Sequence, residues 1–382
     1  MGKEKISICF VNGANPKFLG GISLYQKNLI KYLKIKNKES SLTWLYKSNK
    51  NNIINDSVKY VALNCSSIPF IDDIIFNIKV KRYLSKNYFD VINSHAIWGI
   101  WMKNYKRQKN QKLIHTYHGV TYPYYKVHLQ RFNLIKRMFL SPLLLYGYTI
   151  EKHPIKKADK IICVSEKVKE QIKKTYKERK NLIVIRTGVD LKEFKPRNKE
   201  ETRKKLNLDK DKVYGLYIGK GGYWIKGLDR AIKLSERIYT ENKNYRLIVI
   251  GADKNKVGDL INKKFVVYLE NIPREMISFY YNAVDFLLFL SRYEGGAPTL
   301  VVSEAMASGC PVICSEDSQQ EIIEDKRNGI ILSNFDKDDA KRVIGIIKDK
   351  KNIQKIIENS IETIKELSID KWGEEYSKTI LK

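Results

Sequence analysis

The sequence predicts an α/β protein made of two successive Rossmann-like units facing one another, and three observations carry that prediction. Short β-branched runs alternate with helical patterns along the chain, as in parallel sheets built from βαβ units. The alternation stops over a charged, strand-free stretch at residues 190–212 and then restarts. The chain has 382 residues, too many for one ordinary core and enough for two domains of about 190 each.

In order, the first unit opens on the strand "KISICFV". A helix follows from Gly21 to Ile35, with Leu24, Leu29, Ile30 and Leu33 at helical spacing. The strands "SLTWLY", "VKYVAL", "DVINSH", "KLIHTYH", "KIICVS" and "NLIVIR" come next. Asp190 to Lys212 forms a linker with one helix. The second unit brings "VYGLYIG", a helix from Gly227, "YRLIVIG", "FVVYLE", a helix near Glu275 to Ala283, "DFLLFLS" and "PVICS". The expected domains are 1–195 and 196–367, with 368–382 a helix crossing back to the first. In sheets of this kind ligands bind beyond the carboxyl ends of the strands, at loop–helix junctions.

Composition narrows the functional classes. Hydrophobic residues make up 43%, a globular value, and the longest apolar-rich run, Met138 to Ile150, is too short to span a bilayer and is broken by Pro142. "MGKEKISICF" reads directly as a strand rather than a secretory signal, so the expected location is cytoplasmic. The five cysteines lack a four-cysteine zinc pattern and are expected as buried, reduced thiols.

Net charge is +29 and unevenly spread: residues 1–195 hold 38 Lys and Arg against 13 Asp and Glu, the remainder 33 against 29. Residues 101–150 hold nine basic side chains and no acidic one. The first half is therefore expected to face something anionic: a membrane surface, a phosphorylated acceptor or nucleic acid. No helix-turn-helix, zinc or RNA-binding sheet signature accompanies the charge, so nucleic acid is not the expected partner. Around residues 131–146, Phe132, Ile135, Phe139, Leu143 and Tyr146 recur at helical spacing beside Arg131, Lys136 and Arg137. Such a helix either lies in the interface of anionic lipids, at the cytoplasmic face of a membrane, or packs its apolar side on the domain's sheet.

Two junctions in the second unit carry candidate chemistry. "YIGKGGYWIKGLDRAI" runs from strand through a glycine-rich turn into a helix, and Lys220 and Lys226 add two cations where loop amides suit phosphate oxygens. It is neither a Walker A loop nor a G-x-G-x-x-G fingerprint. "SRYEGGAPTLVVSEAMASGCPV" sets Glu294 and Glu304 at the ends of a loop holding Gly295, Gly296 and Pro298, with a helix expected from near Ser303–Glu304. Glu304 there is either a capping carboxylate or an acceptor for a ribose diol.

Together these stretches resemble the retaining glycosyltransferases of family 4, which have the GT-B fold. "FLGGISLYQKNLIKYL", "FDVINSH", "HTYHG", "KADKIICVSEKVKEQI" and "VIRTGVDLKEF" match further family segments in the right order. The resemblance implies an enzyme of hexosyltransferase type. It would move a sugar, with retention, from a nucleotide-diphosphate sugar to a glycan, lipid-linked or other cell-surface polysaccharide acceptor. It implies no cofactor and no divalent metal. Residue by residue, Lys226 matches the lysine on the donor diphosphate, and Lys220 takes the place of an arginine that completes the clamp. Glu304 matches the ribose ligand, His118 a histidine near the transferred sugar, and Gly20 and Gly21 a loop near diphosphate and acceptor. Backbone amides of Gly296, Ala297, Thr299 and Leu300 would face sugar and diphosphate.

Three departures stand out. Nine residues separate Glu294 from Glu304 where the family usually has seven, and counting back to the family position lands on Gly296. A glycine-rich loop absorbs such an insertion, so Glu294 is still expected to reach the sugar; the other reading is a changed role. Thr187 replaces an asparagine, and Glu270 stands where a glycine often lies, near the nucleobase. Two alternatives remain: a GT-B nucleotide-sugar epimerase or phosphorylase, which lacks the combined "EAMASG" and "KG" placement, and a degenerate, non-catalytic sugar-nucleotide-binding protein, for which Lys220 and the lengthened loop speak.

Overall fold

The computed structural model describes residues 6–17, 20–36, 40–50, 52–55, 57–68, 70–177, 181–220, 222–296, 298–318 and 320–381. It divides into unit 1, Met1–Arg186 with Trp372–Lys382, and unit 2, Thr187–Lys371.

Unit 1 runs β1 (Ser7–Val11), α1 (Gly21–Lys36), β2 (Ser41–Ser48), β3 (Asn52–Asn55), β4 (Lys59–Asn64), α2 (Ile71–Lys86), β5 (Val91–His95) and β6 (Lys112–Tyr117). It continues with α3 (Thr121–Leu129), α4 (Leu134–Leu140), α5 (Pro142–Lys157), β7 (Lys160–Cys163), α6 (Glu166–Tyr176) and β8 (Leu182–Val184). Among the described residues its sheet has the order β3-β4-β2-β1-β5-β6-β7-β8, parallel except for β3 against β4. β5 is buried along its whole length, as a strand covered by helices on both faces must be.

Unit 2 runs α7 (Lys199–Lys205), β9 (Val213–Ile218), α8 (Leu228–Glu241), β10 (Tyr245–Ile250), α9 (Lys254–Ile261), β11 (Val266–Leu269) and α10 (Arg274–Ala283). Then come β12 (Phe286–Phe289), α11 (Leu300–Ala307), β13 (Val312–Ser315), β14 (Ile330–Leu332), α12 (Lys337–Lys348) and α13 (Lys350–Lys365). Its parallel sheet has the order β11-β10-β9-β12-β13-β14. Side chains alternate between two cores: Leu247 and Val249 pack with α8 on one face, Ile248 and Ile250 with α10 and α11 on the other.

Both sheets reverse their direction of growth once, between β1 and β5 in unit 1 and between β9 and β12 in unit 2. At such a reversal the two following loops leave in opposite directions and open a crevice at the strand ends. The loops of interest therefore sit where each fold leaves backbone polar groups facing outward.

The last helix, α14 (Ile369–Leu381), joins unit 1 from Trp372 onward. Trp372, Gly373, Tyr376 and Ile380 are buried, and the Tyr376 hydroxyl donates to Asn93 Oδ1 at 2.7 Å and lies 3.0 Å from Thr116 Oγ1. Gly373 is required by proximity: a Cβ there would stand 2.3 Å from the Tyr32 ring.

One sequence expectation is corrected. The single helix around residues 131–146 is broken into α4 and α5 at Ser141–Pro142, because the proline has no N–H to continue the ladder. Asn133 caps α4 by accepting from the Lys136 amide at 3.0 Å. None of α4's residues is buried, so it does not pack on the sheet; α5 buries Gly147, Ile150, Glu151, Pro154 and Ile155 instead. Among the described residues no helix is long and apolar enough to cross a membrane.

Candidate active site

The loops after β9 and β12 are stitched together before any charged group is considered. Gly227 has φ +73°, and a Cβ there would stand 2.0 Å from the Leu290 carbonyl oxygen, so only glycine lets the two backbones meet. The Arg292 amide donates to the Ile225 carbonyl at 2.8 Å. Its guanidinium grips both Asp229 oxygens at 2.7 and 2.6 Å and lies 4.3 Å from the Trp224 ring centre.

This stitching sets Lys226 against Glu294. Lys226 Nζ lies 2.8 and 2.9 Å from the two Glu294 oxygens, and Ser291 Oγ donates to one of them at 2.7 Å. The glutamate side chain is 8% exposed and the lysine 35%, so the pair is shielded on the carboxylate side and open on the ammonium side. Lys220 is exposed at the end of β9, its side chain lying over Gly251. The Lys226–Glu294 pair thus sits at the crevice between β9 and β12, while Lys220 leaves β9 on the side of β10.

Glu304 occupies a different setting from the one expected. α11 starts at Leu300, with Thr299 Oγ1 capping the Val302 amide at 3.4 Å, so Glu304 lies one turn inside the helix and is not a cap. It is 2% exposed and clasped by both arms of Arg274, one at 2.9 Å, while the Tyr281 hydroxyl donates at 3.3 Å. Burial pushes its carboxyl pKa up, against the pull of Arg274, whose guanidinium lies 4.8 Å from the Phe194 ring centre.

The amides of the intervening loop divide. Thr299 N–H is taken by the side-chain oxygen of the buried Gln320 at 3.2 Å, so it does not face a ligand as expected. Leu300 opens the helix, where first-turn amides have no intrahelical acceptor. Gly296 is half-buried, and Ala297 lies outside the described residues. Glu270 is exposed just past the edge strand β11.

In unit 1, His118 follows β6, its Nε2 3.1 Å from His95 Nδ1, with the two rings stacked and the Tyr25 ring edge-on at 4.6 Å. His115 Nδ1 lies 2.7 Å from Ser94 Oγ. Burial lowers His115 and His118 to about 3 and takes His95 well below its ordinary value, so all three are neutral at pH 7. Gly20 and Gly21 open α1, and a Cβ on Gly21 would meet nothing within 4 Å. Trp98 and Trp101 are core residues, Trp98 donating to Asp73 at 2.9 Å. Among the described residues no three His, Cys, Asp or Glu side chains converge as metal ligands.

Sequence reasoning missed Arg274, Arg292 and Asp229. Arg274 follows Pro273 at a helix start, which marks the helix but says nothing of a carboxylate 30 residues away.

Two family models match the chain consecutively: "Glycosyltransferase Family 4" over residues 20–193 and "Glycosyl transferases group 1" over residues 198–363. The chain belongs to the family-4, group-1 glycosyltransferases. Among its relatives, this glycosyltransferase is 27% identical to the uncharacterized glycosyltransferase MJ1178 of Methanocaldococcus jannaschii, over 93% of this chain and 92% of that one. It is 24% identical to the UDP-Gal:alpha-D-GlcNAc-diphosphoundecaprenol alpha-1,3-galactosyltransferase of Escherichia coli, over 83% and 85% of the two chains. Sucrose-phosphate synthase from Thermosynechococcus elongatus superposes with TM-score 0.82 at 19% identity, covering 98% of each chain. HepE of Anabaena, solved with UDP and glucose, superposes with TM-score 0.74 at 14% identity, covering 98% and 99%. The likeness establishes the GT-B fold for this glycosyltransferase.

Proposed function

We propose that this glycosyltransferase moves a hexose, with retention at the anomeric carbon, from a nucleoside-diphosphate sugar to a glycan or lipid-linked acceptor in cell-surface polysaccharide synthesis. The observation that carries the reading is the Lys226–Glu294 pair at the reversal point of the second sheet, open on its ammonium side. A diphosphate entering there offers Lys226 a stronger partner than a carboxylate. The ammonium turns to the phosphate, and Glu294, still held by Ser291, accepts from sugar hydroxyls.

Charge growing on the departing diphosphate falls to Lys226, Lys220 and the Leu300 amide, preorganised by the stitched loops. The reading therefore assigns no step to a divalent metal. Glu304 is the proposed ribose ligand; an ionised carboxylate has about four acceptor directions, and Arg274 and Tyr281 already occupy part of them. A ribose diol would share the carboxylate with Arg274 rather than find it free. In unit 1, neutral His118 and the Gly20–Gly21 backbone are the proposed contacts to sugar and acceptor. The UDP-Gal donor of the galactosyltransferase and the UDP bound to HepE support a UDP-sugar as the first donor to assay, and the former's diphosphoundecaprenol substrate supports a lipid-diphosphate acceptor.

The test is a thermal-shift series with nucleoside mono- and diphosphates and their sugars, followed by turnover with chelator present. Diphosphates should raise Tm above the corresponding monophosphates, and one nucleotide sugar should be consumed without added metal. No diphosphate response and no consumption of any nucleotide sugar would overturn the reading; binding without turnover would favour the non-catalytic alternative.

A further inference from the structure

Large apolar side chains on the surface of unit 1 are grouped rather than scattered. On α2 the outward positions Ile71, Ile74 and Ile78, the last 63% exposed, form a stripe at helical spacing, preceded by exposed Ile68 and Phe70. On α4, Leu134, Ile135, Met138 and Phe139 are all exposed, Phe139 at 81%. Leu145 in α5 adds a further exposed chain. The groups adjoin: the Phe70 ring lies edge-on 5.5 Å from Tyr146 in the first turns of α5, and α4 joins that same end of α5 at Ser141. Soluble monomers expose single apolar residues freely, but a contiguous group of this kind marks an interaction surface.

The rim identifies the partner. Arg131 and Lys136 stand 4.3 and 4.7 Å from the Phe132 ring centre, cationic heads placed around an aromatic body. The outward stripe of α2 continues from Ile78 into exposed Arg82 and Lys86. Residues 101–150 contribute no acidic side chain. The acidic groups in the first turn of α2, Asp72 and Asp73, are both paired with Lys47.

We propose that α2's outward stripe, α4 and the first turns of α5 together form a docking surface for an anionic lipid bilayer. The apolar chains enter the headgroup–acyl boundary, and the cations of the rim meet lipid phosphates. The break at Pro142 serves this arrangement. It frees α4 from the sheet-packing direction of α5, so that Leu134, Ile135, Met138 and Phe139 face outward from a seven-residue helix. The proposal deepens the reading of a lipid-linked acceptor, but its test reads lipid binding and not transfer, so either can fail alone.

The full chain is sedimented with phosphatidylcholine vesicles and with vesicles containing phosphatidylglycerol, at low and high salt. Binding is expected to the anionic vesicles, reduced but not abolished by salt, because the apolar contribution survives screening. Ile78→Ser/Phe139→Ser, at exposed positions that leave Tm unchanged, should weaken binding by about tenfold or more at both salts. Arg131→Glu/Lys136→Glu should weaken it mainly at low salt. Lys226→Ala should bind vesicles like the unaltered chain. Failure to bind anionic vesicles would overturn the proposal, as would binding indifferent to Ile78→Ser/Phe139→Ser. So would a concentration-dependent dimer, seen by sedimentation, that those substitutions dissolve, since a second copy would then cover the surface.

Discussion

Lys226 and Glu294 form a close ion pair, and this shapes what their substitution does. Removing the lysine alone leaves a nearly buried carboxylate that still accepts from Ser291. Breaking a fully buried pair costs about 3–5 kcal/mol, and here less because the ammonium is partly in water. Lys226→Met should therefore lower stability and abolish transfer, while Lys226→Met/Glu294→Gln should recover stability without recovering transfer. Denaturant melts and donor turnover measure the two effects; near-normal turnover in Lys226→Met would remove the residue from the site.

Glu151 lies at the same scale. It is fully buried and accepts from the Thr121 amide and hydroxyl at 2.8 and 2.6 Å and from the Tyr176 hydroxyl at 2.8 Å, yet burial raises its carboxyl to about 7. A carboxyl raised on folding contributes stability below its unfolded value that is lost as pH rises through the folded one. Glu151→Gln should thus raise Tm at pH 8 and leave it nearly unchanged at pH 5. His95, His115 and His118 act oppositely: their lowered values favour protonating the unfolded chain as pH falls below 6.5, so acid should erode the stability of unit 1. Equal Tm gains for Glu151→Gln at both pH values would refute the assignment.

At the scale of elements, the turn before α8 is the structural hinge of the candidate site. Gly227 combines a left-handed backbone with contact against the Leu290 carbonyl, so Gly227→Ala meets both strain and collision. The expected cost is about 2 kcal/mol or more, with donor binding lost because the loop carrying Lys226 separates from the loop carrying Glu294. Calorimetric titration with the preferred donor diphosphate checks this; unchanged affinity would show that the stitched loops do not set the site.

For the whole molecule, the end of the chain completes the beginning. α14 supplies Trp372, Tyr376 and Ile380 to unit 1, and Tyr376 bonds Asn93 in β5 and Thr116 in β6. Tyr376→Phe leaves the buried Asn93 and Thr116 oxygens without that partner and should cost about 1–3 kcal/mol. Truncation after residue 368 should expose the face of α1 around Tyr32 and Tyr25 and unfold unit 1 before unit 2. A melt in which the truncated chain keeps the full-length transition would contradict that role.

The sequence by itself determined the α/β class, the order of most strands and the positions of both glycine-rich junctions. These depend on local patterns: β-branched runs, helical spacing, and glycine where backbones turn or meet. It left β3 and β14 unread, since Ile53–Ile54 and Ile330–Leu332 are brief apolar runs set within asparagine-rich and charged loop sequence. The motifs made Lys226, Glu294 and Glu304 legible as charged groups at strand ends. Their partners were another matter. Only the tertiary structure brought Lys226 to Glu294, 68 residues away, and Arg274 to Glu304. It also turned Thr299's amide to Gln320 and split the helix at Pro142 so that Phe139 faces outward. Pairing between distant loops is set by which strands lie side by side in the sheet, and no local spacing records that order.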